Sequence, residues 1–370
     1  MSLQSTQQPD SFLCRYRQLA PSASVRVSPL CLGAMHFGEG YKDGLSEHNK
    51  QTSFETLDHF ASQGGNFIET ANVFQEGKYE QWLGDWMMYR RNRDEMVIAT
   101  KYSTAYKLHL KHKIQANYGG NGLKSMRVSL EESLKNLQTT YIDLFYLHWW
   151  DYTVLYLGIA NTPAWIVVKC NAYARERGLR QFAVYQGQWN AGLRDLEREI
   201  IPMCRAEGMG VVSSRALGSG RFYTEEGYKE REISNSGHRG RPQTEREKAV
   251  SRALKNVANA HGTILTSVAL AYVRQKAPYV IPVVDGSTLD PLKDNIAALS
   301  LYLTKDEIKK IENAYEFDPG YPNTFLSGNL SLGGELFSAT KPSDFFWTKR
   351  QGTFDWIEPE KPIGPIEQRK

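Results

Sequence analysis

The sequence predicts an α/β barrel in which parallel strands alternate with helices. Three apolar runs, each followed by helix-like sequence, end in a polar residue that could take part in chemistry. They are residues 66–68 ending at Glu69, residues 96–100 ending at Lys101, and residues 142–147 ending at His148. Barrels of this kind build their sites from residues at the C-terminal ends of several strands. We therefore expect Glu69, Lys101 and His148 to meet at one end of the barrel.

The remaining elements follow from periodicity and from turn residues. In chain order we predict a first strand and its loop (25–37), a helix (50–63), a strand (66–70), a helix (79–90), a strand (96–101), a loop (104–122), a helix (123–137), strands (142–147 and 154–159), a helix (163–177), a strand (182–185), a helix (193–207), a strand (210–214), a loop (222–243), two helices (245–260 and 264–275), the last strand (279–284) and two further helices (290–298 and 305–315). The barrel domain then spans 25–317. We expect 1–24 to be a disordered or extended leader and 318–370 an irregular tail.

The connection between the fourth and fifth strands breaks the alternation. Only residues 149–153 separate His148 from the apolar run 154–159. Parallel neighbours need a crossover of about a dozen residues or more, usually a helix. Either the two strands form a hairpin, or the helix expected here is missing.

Composition restricts the class of protein. Of the 370 residues, 41% are hydrophobic and 23% charged, with a net charge of +4, which is ordinary for a globular protein. Basic residues are interspersed with acidic ones, so we expect no nucleic-acid partner. No apolar run reaches the ~18 residues of a membrane span. The cysteines lack metal spacing, and His109 and His112 lack further ligands, so we expect reduced thiols, no metal site and a cytoplasmic location.

Several longer stretches resemble one enzyme family. The most specific are GGNFIETAN (64–72), NRDEMVIATKY (92–102) and YIDLFYLHWWD (141–151). On these the chain resembles the aldo-keto reductases, in particular the fungal branch of aryl-alcohol dehydrogenases and norsolorinic acid reductase-like enzymes. The resemblance implies a (β/α)8 TIM barrel that binds NADPH and reduces aldehydes or ketones. Relatives carry extra sequence between the positions of Thr153 and Val154, so the resemblance also implies that the helix between the fourth and fifth strands is missing.

The resemblance assigns a catalytic tetrad to Glu69, Phe74, Lys101 and His148, with two departures from the family pattern. Glu69 replaces an aspartate, which keeps the charge but moves the carboxylate by about 1 Å. Phe74 replaces the tyrosine that protonates the developing alkoxide, and losing a general acid commonly costs about 10²–10⁴ in rate. His148, or Glu69 if its pKa is raised, could serve as a substitute acid.

The resemblance also assigns the cofactor positions, and some of these are altered. They are Ala160, Asn161, Gln186, Ser214, Arg215, Leu217, Gly218, Gly220, Arg221, Gly286, Ser287, Asp294 and Asn295. Ser214 stands where relatives have an aromatic residue that stacks on the nicotinamide. Residues 285–288 (DGST) replace a Gly-Gly-Arg-Lys segment whose cations suit the 2′-phosphate of NADPH. Charge-assisted contacts to phosphate are strong, so we expect NADP(H) with a weakened preference over NAD(H).

Two functions remain open from the sequence. The first is an NADP-dependent oxidoreductase that reduces an aromatic, polyketide or terpenoid carbonyl in fungal secondary metabolism, as a monomer or weak homo-oligomer. The second is a catalytically impaired homologue that acts as a binding protein or is a decaying gene product. Phe74, Ser214 and the short connection after His148 are the features that distinguish them.

Overall fold

The computed structural model describes residues 11–34, 49–149, 158–223, 243–285, 289–326 and 360–364. Eight parallel strands close into a barrel in which each strand pairs with the next along the chain and the last pairs with the first. They are β3 (Cys31–Gly33), β4 (Phe67–Glu69), β5 (Val97–Tyr102), β6 (Leu144–Leu147), β7 (Gly158–Ala160), β8 (Val184–Gln188), β9 (Gly210–Ser214) and β10 (Val280–Asp285). The prediction of an eight-stranded α/β barrel is confirmed.

Ten helices accompany the strands in the part of the chain that is described. They are α1 (Lys50–Ser62), α2 (Lys78–Arg90), α3 (Leu123–Asn136), α4 (Ala164–Glu176), α5 (Ile200–Ala206), α6 (Glu245–Ala260), α7 (Leu265–Lys276), α8 (Leu289–Ala297), α9 (Lys305–Glu312) and α10 (Asn323–Leu326). Within the ranges above, none of these helices is both long and apolar enough to cross a membrane. Most of the predicted loop 222–243 and of the tail 318–370 falls outside the described residues.

The prediction of a disordered or extended leader at 1–24 needs correction, because part of this stretch belongs to an ordered N-terminal hairpin. Strands β1 (Arg17–Ala20) and β2 (Ala23–Val27) pair antiparallel. Leu19 is buried with Val27 and the apolar residues inside the barrel, and Ser22 donates two hydrogen bonds to Gly208 O. The hairpin therefore covers the N-terminal end of the barrel. Sequence periodicity missed it because few of its residues are buried, and the strand predicted to begin at residue 25 is split between β2 and β3.

The pairing of the fourth and fifth barrel strands rules out one of the two alternatives for the short connection. β6 and β7 pair in parallel, with Tyr146 opposite Gly158 and Leu147 opposite Ile159, so the hairpin alternative is wrong. Residues 148–157 make the crossover, and 150–157 lie outside the described residues. The other alternative, a missing helix, concerns residues that mostly lie outside the described part of the chain.

Side-chain alternation places the candidate site. Phe67, Ala99 and Tyr146 belong to the apolar cluster inside the barrel, and successive side chains on a strand point to opposite faces. Residues two positions further on therefore point inward again, at the C-terminal end. Those residues are Glu69, Lys101 and His148, as the sequence predicted.

Candidate active site at the C-terminal ends of the strands

A buried ion pair forms the centre of the site. The Lys101 ammonium at the end of β5 contacts the Glu69 carboxylate at the end of β4, and Lys101 Nζ donates a second hydrogen bond to Thr70 O at 2.9 Å. Only 2% of the Lys101 side chain and 9% of the Glu69 side chain are exposed. The site therefore holds one cation and one anion with little access for water.

Glu69 at the end of β4 also reaches β8, four strands away around the barrel. Gln186 Nε2 on β8 donates to Glu69 Oε2 at 3.0 Å, across the barrel interior. One carboxylate thus binds Lys101 through one oxygen and Gln186 through the other. The sequence predicts only that the longer side chain moves the carboxylate, and the structure shows that the carboxylate links these two residues.

Phe74 lies beside two other members of the tetrad, Lys101 and His148. Lys101 Nζ is 5.4 Å from the centroid of the Phe74 ring, and the His148 ring meets Phe74 edge-on at 6.1 Å between centroids. The backbone after Phe74 turns through left-handed residues Gln75 (φ 46°) and Glu76 (φ 61°). Such conformations are unfavourable for L-residues and persist only when surrounding contacts hold them. The turn brings the ring over Lys101.

His148 follows β6 and is fixed at both of its backbone groups. Its N–H donates to Tyr102 O at 3.0 Å, and Asn161 Nδ2 donates to its carbonyl at 3.4 Å. On the ring, Nδ1 lies 3.3 Å from Thr104 Oγ1. The second ring nitrogen, Nε2, has no hydrogen-bond partner among the residues described.

Burial controls the charges of the two bases. Burial lowers the pKa of Lys101 from 10.5 to about 7, whereas its contact with the Glu69 carboxylate favours the charged form. Burial, and secondly the Lys101 charge, lower the pKa of His148 from 6.5 to about 3. His148 is therefore a neutral imidazole at neutral pH.

The predicted cofactor positions on β7 and β8 lie beside this centre. Ala160 is the last residue of β7. The next residue, Asn161, adopts a left-handed conformation (φ 50°), and its backbone N–H donates to Gln186 O at 3.1 Å. Asn161 is thus bonded to both His148 and Gln186. These positions form one continuous edge of the barrel mouth.

A glycine-rich turn follows β9. Ser214 ends the strand, the exposed Arg215 has φ 55° and donates to Gln188 Oε1 at 3.3 Å, and Gly218 N donates to Arg215 O at 2.8 Å. Gly218 has φ +69°, and a Cβ there would lie 3.0 Å from the Phe222 ring. Only glycine fits this position without strain.

The turn also brings together the other predicted cofactor residues of this segment, Leu217, Gly220 and Arg221. The loop contains left-handed backbone, whose N–H groups can bind an anion, and it carries Arg215 and Arg221, which add positive charge. The loop therefore suits an anion. The residues present therefore fit the phosphates of a dinucleotide.

The remaining predicted cofactor residues lie around α8. Asp294 is exposed and Asn295 is buried on this helix, which follows β10. Gly286 and Ser287 lie outside the described residues. The exposed Asp285 at the end of β10 places a negative charge at the entrance to this segment.

Sequence reasoning missed two residues that contact the tetrad. Thr104 was assigned to a long loop, although it lies three residues after Lys101, where a strand-end side chain can reach the next strand. Tyr146 is fully buried, its hydroxyl has no partner among the described residues, and its ring centroid is 5.9 Å from Lys101 Nζ. Its place inside the barrel follows from alternation with His148, which was the available signal.

A closed parallel barrel with a buried Lys–Glu pair, a neutral histidine and an adjoining loop that fits phosphate has the arrangement of a barrel enzyme, with its active site at the C-terminal ends of the strands. The Aldo/keto reductase family model matches residues 29–316, and the chain belongs to this family. Members generally use NADP(H) and act on small carbonyl compounds.

Curated relatives match over nearly the whole chain. The chain is 54% identical to norsolorinic acid reductase B of Dothistroma septosporum, over 95% of each protein. It is 52% identical to norsolorinic acid reductase B of Aspergillus parasiticus, over 95% of this chain and 98% of the relative. It is 47% identical to an aryl-alcohol dehydrogenase of Pestalotiopsis microspora, over 96% of this chain and 95% of the relative.

Proposed function

We propose that the protein reduces an aromatic, polyketide or terpenoid aldehyde or ketone in fungal secondary metabolism, using NADP(H). The observation that supports this most directly is the convergence of Lys101, Glu69 and His148 at the C-terminal ends of three neighbouring strands. Near-full-length similarity to reductases favours this function over that of an impaired binding protein.

Lys101 stabilises the charge that develops on the carbonyl oxygen. Its ammonium is held by Glu69 and Thr70 O in a site from which water is largely excluded, where a fixed cation is worth more than in water. Glu69 orients Lys101 and favours its charged form against the effect of burial. Neither group needs to move during the reaction.

His148 presents a neutral imidazole to the same oxygen. Phe74 has no proton to donate, so the hydrogen bond that polarises the carbonyl comes from the His148 ring. Phe74 itself excludes water from Lys101 and from the edge of His148. The protein thus retains the electrostatic part of the family mechanism and lacks its tyrosine acid.

The residues that hold the cofactor are those along β7, β8 and β9. Asn161 and Gln186 would offer amides to the nicotinamide carboxamide, and the Leu217–Arg221 loop with Arg215 would hold the phosphates. The cofactor, when bound, supplies the hydride that reduces the carbonyl carbon. We propose that NADPH is only weakly preferred over NADH, because Asp285 places a negative charge next to the segment predicted to meet the 2′-phosphate.

An aromatic substrate suits the mouth of the barrel. Trp149, next to His148, is 41% exposed, and an exposed indole can stack on a flat ring. The relatives are named for norsolorinic acid and for aryl alcohols. We therefore place the substrate between Trp149 and the cofactor edge of the site.

The first test is a titration of the purified full-length protein with NADPH and then NADH, followed by quenching of tryptophan fluorescence. We expect both to bind in the micromolar range typical of such sites. Carbonyl reduction is then followed by the loss of NADPH absorbance with aromatic aldehydes and ketones. Failure of the folded protein to bind either cofactor would overturn the reductase proposal; binding of NADPH alone would overturn only the weakened preference.

The rate of reduction should fall as the pH rises through neutrality. With its pKa lowered to about 7, Lys101 is charged below that pH and neutral above it, so its stabilisation of the developing oxyanion is lost on the alkaline side. We expect kcat/KM to decline from about pH 6 to about pH 9. Lys101→Met should show a low rate without this decline, and a flat profile in the unmodified protein would contradict the role of Lys101.

A further inference from the structure

The structure contains a path for a proton that avoids Phe74. Resting on the proposed reduction, we infer that Thr104 is the positioning residue that holds His148 in the Nε2–H tautomer and links it to solvent, so that the pair replaces the proton donor absent at Phe74.

The contact itself is direct and specific to one ring nitrogen. Thr104 Oγ1 lies 3.3 Å from His148 Nδ1, and this hydroxyl has no second hydrogen-bond partner among the described residues. A hydroxyl can donate to an unprotonated ring nitrogen, which leaves the ring proton on the other nitrogen. Thr104 is only partly buried, so water can reach its oxygen.

Local backbone geometry directs Thr104 toward His148. The preceding residue, Ser103, has φ 98° although it is not glycine. Its carbonyl accepts from Gly120 N at 2.7 Å, and its hydroxyl accepts from Trp149 N at 3.3 Å. The carbonyl and the hydroxyl of Ser103 are therefore both held by hydrogen bonds, and the hydroxyl is held by the residue after His148. Strained residues held in this way are common at functional sites.

The protonation state of His148 explains why a relay is needed. With a pKa of about 3, the fraction of imidazolium at pH 7 is about 10⁻⁴. A ring that must first become charged would be a poor acid. A neutral ring that loses the proton of Nε2 while it gains one at Nδ1 never bears the positive charge that burial and Lys101 oppose.

The relay balances as follows. Reduction of the carbonyl carbon, for which the bound cofactor would supply the hydride, leaves the carbonyl oxygen as an alkoxide. The Nε2 proton passes to this oxygen, the Thr104 hydroxyl proton passes to Nδ1, and the Thr104 oxygen takes a proton from water. The hydroxide that forms is neutralised by buffer. Reversal of the ring tautomer through solvent then restores Nε2–H for the next turnover.

The kinetic test compares two substitutions of Thr104 with a matched control. Thr104→Val keeps the shape and removes the hydroxyl, and we expect kcat to fall by about 10² with the carbonyl KM little changed. Thr104→Ser restores a hydroxyl and should recover most of kcat. Thr263→Val, at the partly buried turn between α6 and α7, makes the same chemical change away from the site and should leave the rate unchanged. An unaltered kcat in Thr104→Val would overturn the relay.

A second readout does not require activity. Nitrogen-15 NMR of the His148 ring in the intact protein should report the Nε2–H tautomer, and the ring of Thr104→Val should populate both tautomers. An Nδ1–H tautomer in the unmodified protein would overturn the inference even if carbonyl reduction is observed. If no substrate is reduced, the proposed function fails, while the tautomer still decides the role of Thr104. In heavy water, a curved proton inventory that becomes linear in Thr104→Val would support two protons in motion.

Discussion

Phe74→Tyr is expected to raise kcat for carbonyl reduction by about 10² or more, because it restores a general acid at the reacting oxygen. The ring already lies 5.4 Å from Lys101 Nζ and edge-on to His148. A hydroxyl on this ring would be near the Lys101 ammonium and the neutral His148 imidazole. The neighbouring cation favours the phenolate and so lowers the pKa of the new tyrosine, which brings it closer to the operating pH.

Single-turnover kinetics with saturating NADPH would measure this gain without interference from product release. Phe54→Tyr, which adds the same hydroxyl to a partly exposed ring on α1, is the matched control and should not change the rate. Because a tyrosine would make the Thr104–His148 path redundant, Thr104→Val should cost much less in the Phe74→Tyr background. No gain in a correctly folded Phe74→Tyr protein would mean that proton transfer does not limit the reaction.

Glu197→Gln is expected to lower the free energy of unfolding by about 3–5 kcal/mol, the usual cost of breaking a buried ion pair on one side. Glu197 Oε2 accepts from Arg194 Nη2 at 2.7 Å, and Oε1 accepts from Trp189 Nε1 at 3.1 Å. Lys276 Nζ lies 3.8 Å away, and the Arg194 and Glu197 side chains are 5% and 1% exposed. Glutamine would leave two buried cations to share Glu312.

Chemical denaturation monitored by tryptophan fluorescence would measure the loss. Glu131→Gln, in the exposed Arg127–Glu131 pair, is the control and should leave the midpoint in place, since such pairs contribute little. A midpoint in Glu197→Gln equal to that of the unmodified protein would show that Glu312 alone neutralises both cations.

The contribution of the Glu197 ion pair to stability should also be lost at acid pH. Burial alone would raise the pKa of Glu197, but Lys276 and Arg194 outweigh it and hold the pKa below its usual 4.5. The stabilisation is therefore present above about pH 4.5 and is lost as the pH falls through the lower folded-state value. The unmodified protein should lose stability in this window more steeply than Glu197→Gln does.

The local sequence was enough to predict those elements whose pattern lies within a few consecutive residues. Glu69, Lys101 and His148 each stand at the end of an apolar strand run, which predicted that they gather at one end of the barrel, and this signal needs no knowledge of strand partners. The N-terminal hairpin escaped this reasoning because its strands bury only a few residues each against the barrel.

Hydrogen bonds between residues far apart in the chain could not be predicted, because they form only when the barrel closes. Gln186 reaches Glu69 across 117 positions in the chain, and Thr104 meets His148 across 44. No periodicity within a strand specifies which neighbour lies opposite or which ring nitrogen receives a hydroxyl. Strand order and register decide both, and these are set only when all eight strands pair.

The sequence by itself determined the barrel, the end of the barrel at which polar groups gather, and the absence of a hydroxyl at Phe74. Tertiary structure decided that the longer Glu69 joins Lys101 to Gln186, that the fifth strand runs parallel to the fourth, and that Thr104 faces His148. The physical reason is range: side-chain identity and alternation are local properties, whereas hydrogen bonds and desolvation in the closed barrel arise only when segments far apart in the chain meet.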